Sequence, residues 1–236
     1  MAPLVRGLIV DYGGVLTTDV FASFRAFCEA EGLAADTVRE QFLEHPEARA
    51  LLERLEIGKA RESEFEADFA ARLGVEAEGL IDRMFGHMTP DEAMIGGVLA
   101  ARRAGLRTAM LSNSWGEDRY DRPQLEALFD TWVISGEVGV RKPDPEIYAL
   151  AVERLGLPAH ECVFVDDLPG NLKPARALGM ATVVHRGDAD ATLDEVETIL
   201  GISLRCSPRR PRASAPPRPP ASAPRARPAP RAPAPR

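Results

Sequence analysis

The sequence predicts an α/β fold: a mostly parallel, three-layer sheet covered on both faces by helices, with a helical insertion after its first strand. Three observations lead there. Five short apolar runs rich in β-branched residues are spread along the chain and bounded by turn residues. Amphipathic stretches opened by proline and closed by glycine lie between the later runs. Residues 17–88 carry helical periodicity and no strand pattern. Alternating strands and helices favour a parallel sheet with helices on both sides.

The first strand is Leu8–Val10, which ends on Asp11 and opens into Gly13-Gly14. In the insertion, "FASFRAFCEAEG" and "FEADFAARLG" place aromatics three and four apart, one face of a helix, and "EAEGLIDRMFGHM" reads the same way. Seventy-two residues are too many for a loop. Phe21, Phe24, Phe27, Phe65 and Phe69 therefore read mostly as core among these helices. Thr89-Pro90-Asp91-Glu92 marks the next helix start, with Thr89 as N-cap and Pro90 at the first position. That helix runs to about Ala104, where Gly105 stops it. Strands follow at Arg107–Leu111 and Thr131–Ile134, and a helix from Pro145 to Gly156. Cys162–Val165 is the fourth strand, Pro169 to Leu178 a helix closed by Gly179, and Thr182–His185 the fifth strand.

The division expected is a core of residues 1–16 plus 89–204, the insertion 17–88, and a tail 205–236. The tail holds eleven of the twenty prolines, nine arginines and no acid. It cannot bury enough apolar surface to offset its ordering entropy, so it reads as disordered and partly polyproline-like, a solvated extension. The net charge of −7 then leaves −16 for the first 204 residues. An acidic fold is a poor general binder of nucleic acid, although it can bind phosphate beside a locally held cation. Cys28, Cys162 and Cys206 lie far apart, and the four histidines lack ligand spacing, which argues against a disulfide framework or a zinc site. The short apolar start is interrupted by Asp11, so no signal peptide is expected, and no run reaches membrane-span length. A cytoplasmic protein fits best, and a homodimer is allowed.

Ligands of open parallel sheets bind beyond the carboxyl ends of the strands. Those ends carry Asp11, then Ser112-Asn113, then Lys142 in "GVRKPDP", then Asp166-Asp167 with Asn171 four residues on. Each residue alone is more often a cap, a turn or a solvated charge. Their occurrence at the ends of four strands makes one site the better reading. Three converging carboxylates repel, and a hard divalent cation relieves them; Mg²⁺ suits carboxylates, water and a substrate phosphate. Ser112, Lys142 and backbone N–H groups near Gly13 and Gly14 would hold the phosphate, since glycine allows close backbone approach. Asp11 is then placed to attack phosphorus as a nucleophile. Neither G-x-G-x-x-G after the first strand nor a P-loop is present, which excludes the common nucleotide-binding motifs.

The segments "DYGGVLT", "LSNS", "GVRKPDPEIY" and "VFVDDLPGNLKPARALGM" resemble motifs I to IV of the haloacid dehalogenase (HAD) superfamily. The resemblance covers about residues 5–200. It is similar in particular to members with a helical cap after motif I, and to the phosphatase domain that accompanies some epoxide hydrolases. It implies a Rossmann-like core and a Mg²⁺-dependent phosphomonoester hydrolase acting on a small phosphorylated metabolite through an aspartyl phosphate. It further implies Asp11 as nucleophile and metal ligand, and the Gly13 carbonyl as a second ligand. Ser112, Asn113 and Lys142 would bind the phosphoryl group. Asp167 and Asp166 would complete the metal set, supported by Asn171, with residues 17–88 as cap. The family's phosphatases usually carry a second Asp two residues after the nucleophile, as general acid and base. Here that residue is Gly13. Either a group such as Asp19 or a cap residue stands in, or only good leaving groups are expelled, or the chain binds phosphate without turnover. A dehalogenase is disfavoured by the paired acids, and a phosphomutase by the missing one.

Overall fold

The computed structural model describes residues 5–116 and 119–205. In chain order its elements are β1 Gly7–Val10, α1 Val20–Ala30, α2 Thr37–Glu44, α3 Pro46–Glu56, α4 Glu62–Leu73 and α5 Leu80–Phe85. Then come α6 Glu92–Arg103, β2 Arg107–Ser112, α7 Arg122–Leu128, β3 Thr131–Ile134 and α8 Ser135–Val138. The last are α9 Pro145–Leu155, β4 Cys162–Asp166, α10 Pro169–Ala177, β5 Ala181–Val184 and α11 Ala189–Leu200.

The strands pair in parallel in the order β3-β2-β1-β4-β5. β1 is central, and every residue in it is buried, which is why it reads as an uninterrupted apolar run. Its side chains alternate between the two faces. Leu8 and Val10 join Met94 and Val98 of α6 and Val196 of α11 on one side. Ile9 joins Ile147, Tyr148 and Ala151 of α9 and Leu172 of α10 on the other. Val10 lies opposite Met110 of β2 and Val165 of β4. The chain leaves β1 to one side for β2 and β3 and crosses back for β4, so the switch point falls at the carboxyl ends of β1 and β4. Asp11 follows β1 there, and Asp166 ends β4.

β3 has the expected bounds, and the other four strands differ from theirs by one residue. β1 begins at Gly7, β2 and β4 reach Ser112 and Asp166, and β5 spans Ala181–Val184. The start of α6 requires a correction. Its N-cap is Asp91, whose side chain accepts from the Met94 N–H, and not Thr89. Thr89 and Pro90 are drawn instead into pairing with the segment leaving β1. Thr18 N–H donates to the Thr89 carbonyl at 2.8 Å, and Asp91 N–H to the Leu16 carbonyl at 2.9 Å. These two strands of chain are the connections between the sheet and helices α1–α5.

Helices α1–α5 pack around their own apolar cluster, with Phe24, Phe27, Phe65 and Phe69 buried as expected. Phe21 is only partly buried and faces a cavity. Helices α2 and α3 lack the aromatic spacing that marks their neighbours, and they were not separately visible in the pattern. Asp19 is exposed and caps α1, accepting the Phe21 N–H at 2.8 Å. Cys28 and Cys162 are free and buried. Among the described residues no helix is long and apolar enough to cross a membrane. Arg205 pairs with Asp194 of α11 at 2.7 Å, and the rest of the expected tail lies outside the described residues.

Candidate active site

Lys142 organises the site. It follows α8 in a loop, is 1% exposed, and its Nζ lies 2.8 Å from Asp11 Oδ2 and 2.7 Å from Asp166 Oδ2. Burial opposes its charge, but the two carboxylates outweigh burial and hold the ammonium above its ordinary range. Asp166 is fully buried, and its oxygens are heavily engaged. Oδ1 accepts from Leu168 N–H at 2.8 Å, Oδ2 accepts Lys142, and the Asn171 amide reaches both at 3.0 and 3.1 Å. It thus fixes Lys142 and the start of α10. Asp11 is 7% exposed and accepts its neighbour Tyr12's N–H on Oδ1 at 2.7 Å.

One carboxylate oxygen each from Asp11, Asp166 and Asp167 fall within 4.8 Å of one another. Burial first, then repulsion from Asp166 and Asp167, raises the Asp11 carboxyl well above the usual carboxylate range against the pull of Lys142. Asp167 is pushed to about 6, again chiefly by burial and then by Asp166. Three carboxyl groups crowded beside one ammonium form a set of hard oxygen donors. That donor set fits a divalent cation such as Mg²⁺.

The glycines after Asp11 differ in what they allow. Gly14 has φ +72°, and a Cβ there would lie 2.5 Å from Asp167 Oδ2. Its N–H donates to Thr17 Oγ1 at 3.1 Å, so its part is conformational and the expected phosphate donor is already engaged. Gly14→Ala is expected to cost about 1–3 kcal/mol for the left-handed backbone alone and to displace Asp167; urea denaturation checks this. Gly13, by contrast, would present a Cβ only to Val20 Cγ2 at 3.3 Å, so a Cβ is accommodated there with a small shift.

Ser112 Oγ lies 2.9 Å from the Tyr120 hydroxyl, and burial drives that phenol upward. Asn113 is tied to the Lys142 backbone in both directions. Its Oδ1 accepts Lys142 N–H at 2.8 Å, and its Nδ2 donates to the Lys142 carbonyl at 3.0 Å. Its side chain thus holds the lysine loop. The sequence-expected residues are therefore brought together around one floor, with Asp19 left outside.

Above that floor is a cavity of about 760 Å³, whose walls include Phe21, Phe24, Phe42, Leu52, Phe85, Met88 and Trp115. Trp115 belongs to the loop after β2, yet its ring meets Phe85 at 5.0 Å, Phe24 at 5.6 Å and Phe42 at 5.7 Å. Arg119, four residues on, pairs with Glu62 of α4 at 2.8 Å and Asp82 of α5 at 2.7 Å. Two further wall residues escaped the sequence reading: Glu56 at the end of α3, 4% exposed, and Arg141 beside Lys142. Nothing local marks either one, since helix-end acids and loop arginines are usually solvated.

Residues 5–179 match the haloacid dehalogenase-like hydrolase family, and the chain belongs to it. It is 34% identical over 145 residues to bifunctional epoxide hydrolase 2 of Sus scrofa, covering 58% of this chain and 26% of that protein. The chain thus spans about a quarter of the length of that relative. It is 27% identical over 155 residues to the sesquiterpene phosphatase astK of Aspergillus oryzae (strain ATCC 42149 / RIB 40), covering 63% and 79% of the two chains. Among solved structures, a predicted HAD-like family hydrolase from Porphyromonas gingivalis superposes with a TM-score of 0.64 at 23% identity, over 84% of this chain and 98% of that one. That likeness speaks for the fold.

Proposed function

We propose that this chain is a phosphomonoester hydrolase that uses Asp11 as nucleophile and takes substrates with an apolar leaving group. The observation that carries the reading is the Asp11–Lys142–Asp166 contact set beside Ser112, at the floor of a cavity walled by aromatic side chains. Asp11, Asp167 and the Gly13 carbonyl would hold Mg²⁺, with Asp166 direct or through water; the ion supplies positive charge against the phosphoryl oxygens. The chain's own groups do the rest. Lys142 moves its donors between Asp11 and the transferring phosphoryl group, and Ser112 offers a hydroxyl. The Asp11 carboxylate attacks phosphorus, the ester oxygen leaves, and water then releases phosphate from the aspartyl phosphate. Residues 17–88 act as the cap that excludes water from this step.

The walls set the substrate class. The walls also carry Arg49, Arg119 and Arg141, but these are engaged by the Leu43 carbonyl, by Glu62 and Asp82, and by Glu53; a sugar phosphate needs several free donors and acceptors for its hydroxyls, and burying those unpaired costs roughly 1–3 kcal/mol each. An alkyl, isoprenoid or aryl group instead gains about 25 cal/mol for each Å² of apolar surface removed from water. The 27% identical sesquiterpene phosphatase supports this side of the choice. With Mg²⁺ present, kcat/KM for octyl phosphate is expected to exceed that for glucose 6-phosphate by about 10²-fold, roughly the 1–3 kcal/mol of one or two pocket contacts. A sugar phosphate preferred over the alkyl ester would sink the apolar assignment. Gly13 favours a second reading, a phosphate binder without turnover; Mg²⁺-dependent phosphate release from any ester excludes it.

A further inference from the structure

The missing acid at Gly13 leaves a gap in proton transfer, and one group in the cavity wall has the chemistry to fill it. Glu56 ends α3, and that helix end is fixed in place. The Glu56 carbonyl accepts from Ser135 Oγ at 2.5 Å, and Gly58 next to it packs against the Gly136 carbonyl of α8. The side chain then points into the site. Oε1 lies 3.4 Å from Asn113 Nδ2, and Asn113 grips the Lys142 backbone. Oε2 is held in an ion pair with Arg141 Nε at 2.5 Å, whereas Oε1 has only the long Asn113 contact, so that oxygen has capacity left. It is a buried carboxyl on the wall of the cavity that holds Asp11 and Lys142.

Resting on the phosphatase reading above, we propose that Glu56 is the proton donor to the leaving-group oxygen, and the acceptor from water, in place of the acid absent at position 13. In the first step the Asp11 carboxylate oxygen bonds to phosphorus as the ester P–O bond breaks, and the Glu56 proton passes to the departing oxygen, giving the alcohol. In the second, water attacks phosphorus, its proton goes to the Glu56 carboxylate, and the Asp11–phosphorus bond breaks. Inorganic phosphate, the Asp11 carboxylate and protonated Glu56 are restored. Asp19, the other acid near Gly13 in sequence, is exposed, caps α1 through Oδ1, and is not among the residues lining the cavity.

The electrostatics agree with that role. Burial is the largest influence and lifts the Glu56 carboxyl to about 7, against Arg141 first and then Asn113 and Lys142, which pull it down. The charged groups that face it are Arg141 and Lys142 from the loop after α8, with Glu53 of its own helix reaching Arg141 from the other side at 3.1 Å. A carboxyl near 7 is half protonated at neutral pH, which suits both halves of the cycle.

The test compares kcat/KM for octyl phosphate, a poor leaving group, with 4-nitrophenyl phosphate, a good one, in the Mg²⁺-loaded full chain. This ratio reports leaving-group expulsion and ignores the later hydrolysis. Glu56→Gln is expected to lose about 10²-fold on the alkyl ester and less than about 5-fold on the aryl ester. The fall of wild-type kcat/KM on octyl phosphate above about pH 7 should disappear with it. Adding Gly13→Asp, whose Cβ meets only Val20 Cγ2 at 3.3 Å, should restore at least about tenfold on the alkyl ester. Equal losses on both esters with no restoration would make Glu56 a structural clamp and overturn the assignment. Absence of turnover of either ester by wild type would overturn the phosphatase reading, and this assignment with it.

Discussion

Asp11→Asn is expected to lower kcat by at least about 10⁴-fold while raising the melting temperature of the metal-free protein. The two effects share one cause. Asparagine keeps the size of Asp11, and its amide oxygen can still accept from Tyr12 N–H or Lys142, so the loop after β1 has no reason to move. It cannot offer an anionic oxygen to phosphorus, and the covalent route closes. The stability effect follows from the raised Asp11 carboxyl. A carboxyl whose folded pKa lies above its unfolded value contributes stability at low pH that is lost as pH rises through the folded pKa, so holding this position as a charged group works against folding. The neutral amide removes that penalty and relieves Asp166 and Asp167. Steady-state phosphate release and scanning calorimetry of the chelator-treated variant check both halves. Retained turnover would remove Asp11 from the nucleophile role; lost turnover with a lower melting temperature would point to a damaged fold.

Lys142→Met is expected to have the largest cost to stability, about 3–5 kcal/mol, together with loss of activity. The ammonium is the cation that two buried carboxylates share, and methionine leaves both facing Asp167 without compensation. The deficit should depend on pH in a definite direction. Asp167, raised to about 6 even with Lys142 present, binds a proton in the folded state between about 4 and 6 where the unfolded chain does not. Stability therefore grows as pH falls through that window, and without Lys142 the crowded carboxyls take up protons more readily still. Urea denaturation at pH 8 and pH 5.5 should show the variant recovering part of its loss at the lower pH. A deficit that is the same at both pH values would mean that lost packing against Phe164, whose ring lies 5.7 Å from Nζ, dominates over charge.

The strands and the floor of the site were legible because both depend on local pattern. A strand buried on both faces must be apolar throughout, and a polar residue closing such a strand stands out. Asp11, Ser112 and Asp166 did so. Boundaries shifted where a residue far away claimed a group. Thr89 looks like a helix cap, but Thr18 takes its carbonyl and Asp91 does the capping. Asn113 looks like a phosphate donor, but Lys142, 29 residues later, occupies its side chain. Glu56 and Trp115 stayed hidden for the same reason. Their partners lie 30 or more residues away, for Glu56 at Asn113 and for Trp115 at Phe24, Phe42 and Phe85, and no spacing rule connects them. Sequence periodicity reports which face of a helix is apolar; it does not report which foreign side chain will rest against it.

The chain holds two tryptophans, and they occupy very different surroundings. Trp132 sits in β3 at the sheet edge with the Arg122 guanidinium 5.9 Å above its ring. Trp115 stands in the cavity wall, ringed by phenylalanines and anchored in the loop that also carries Ser112 and Asn113. An indole so placed has its emission colour and brightness set by what fills the cavity and by how closely helices α1–α5 lie over it. With Trp132 exchanged for phenylalanine, the protein would carry a single built-in optical reporter, able to follow substrate entry and product departure in real time without any attached dye.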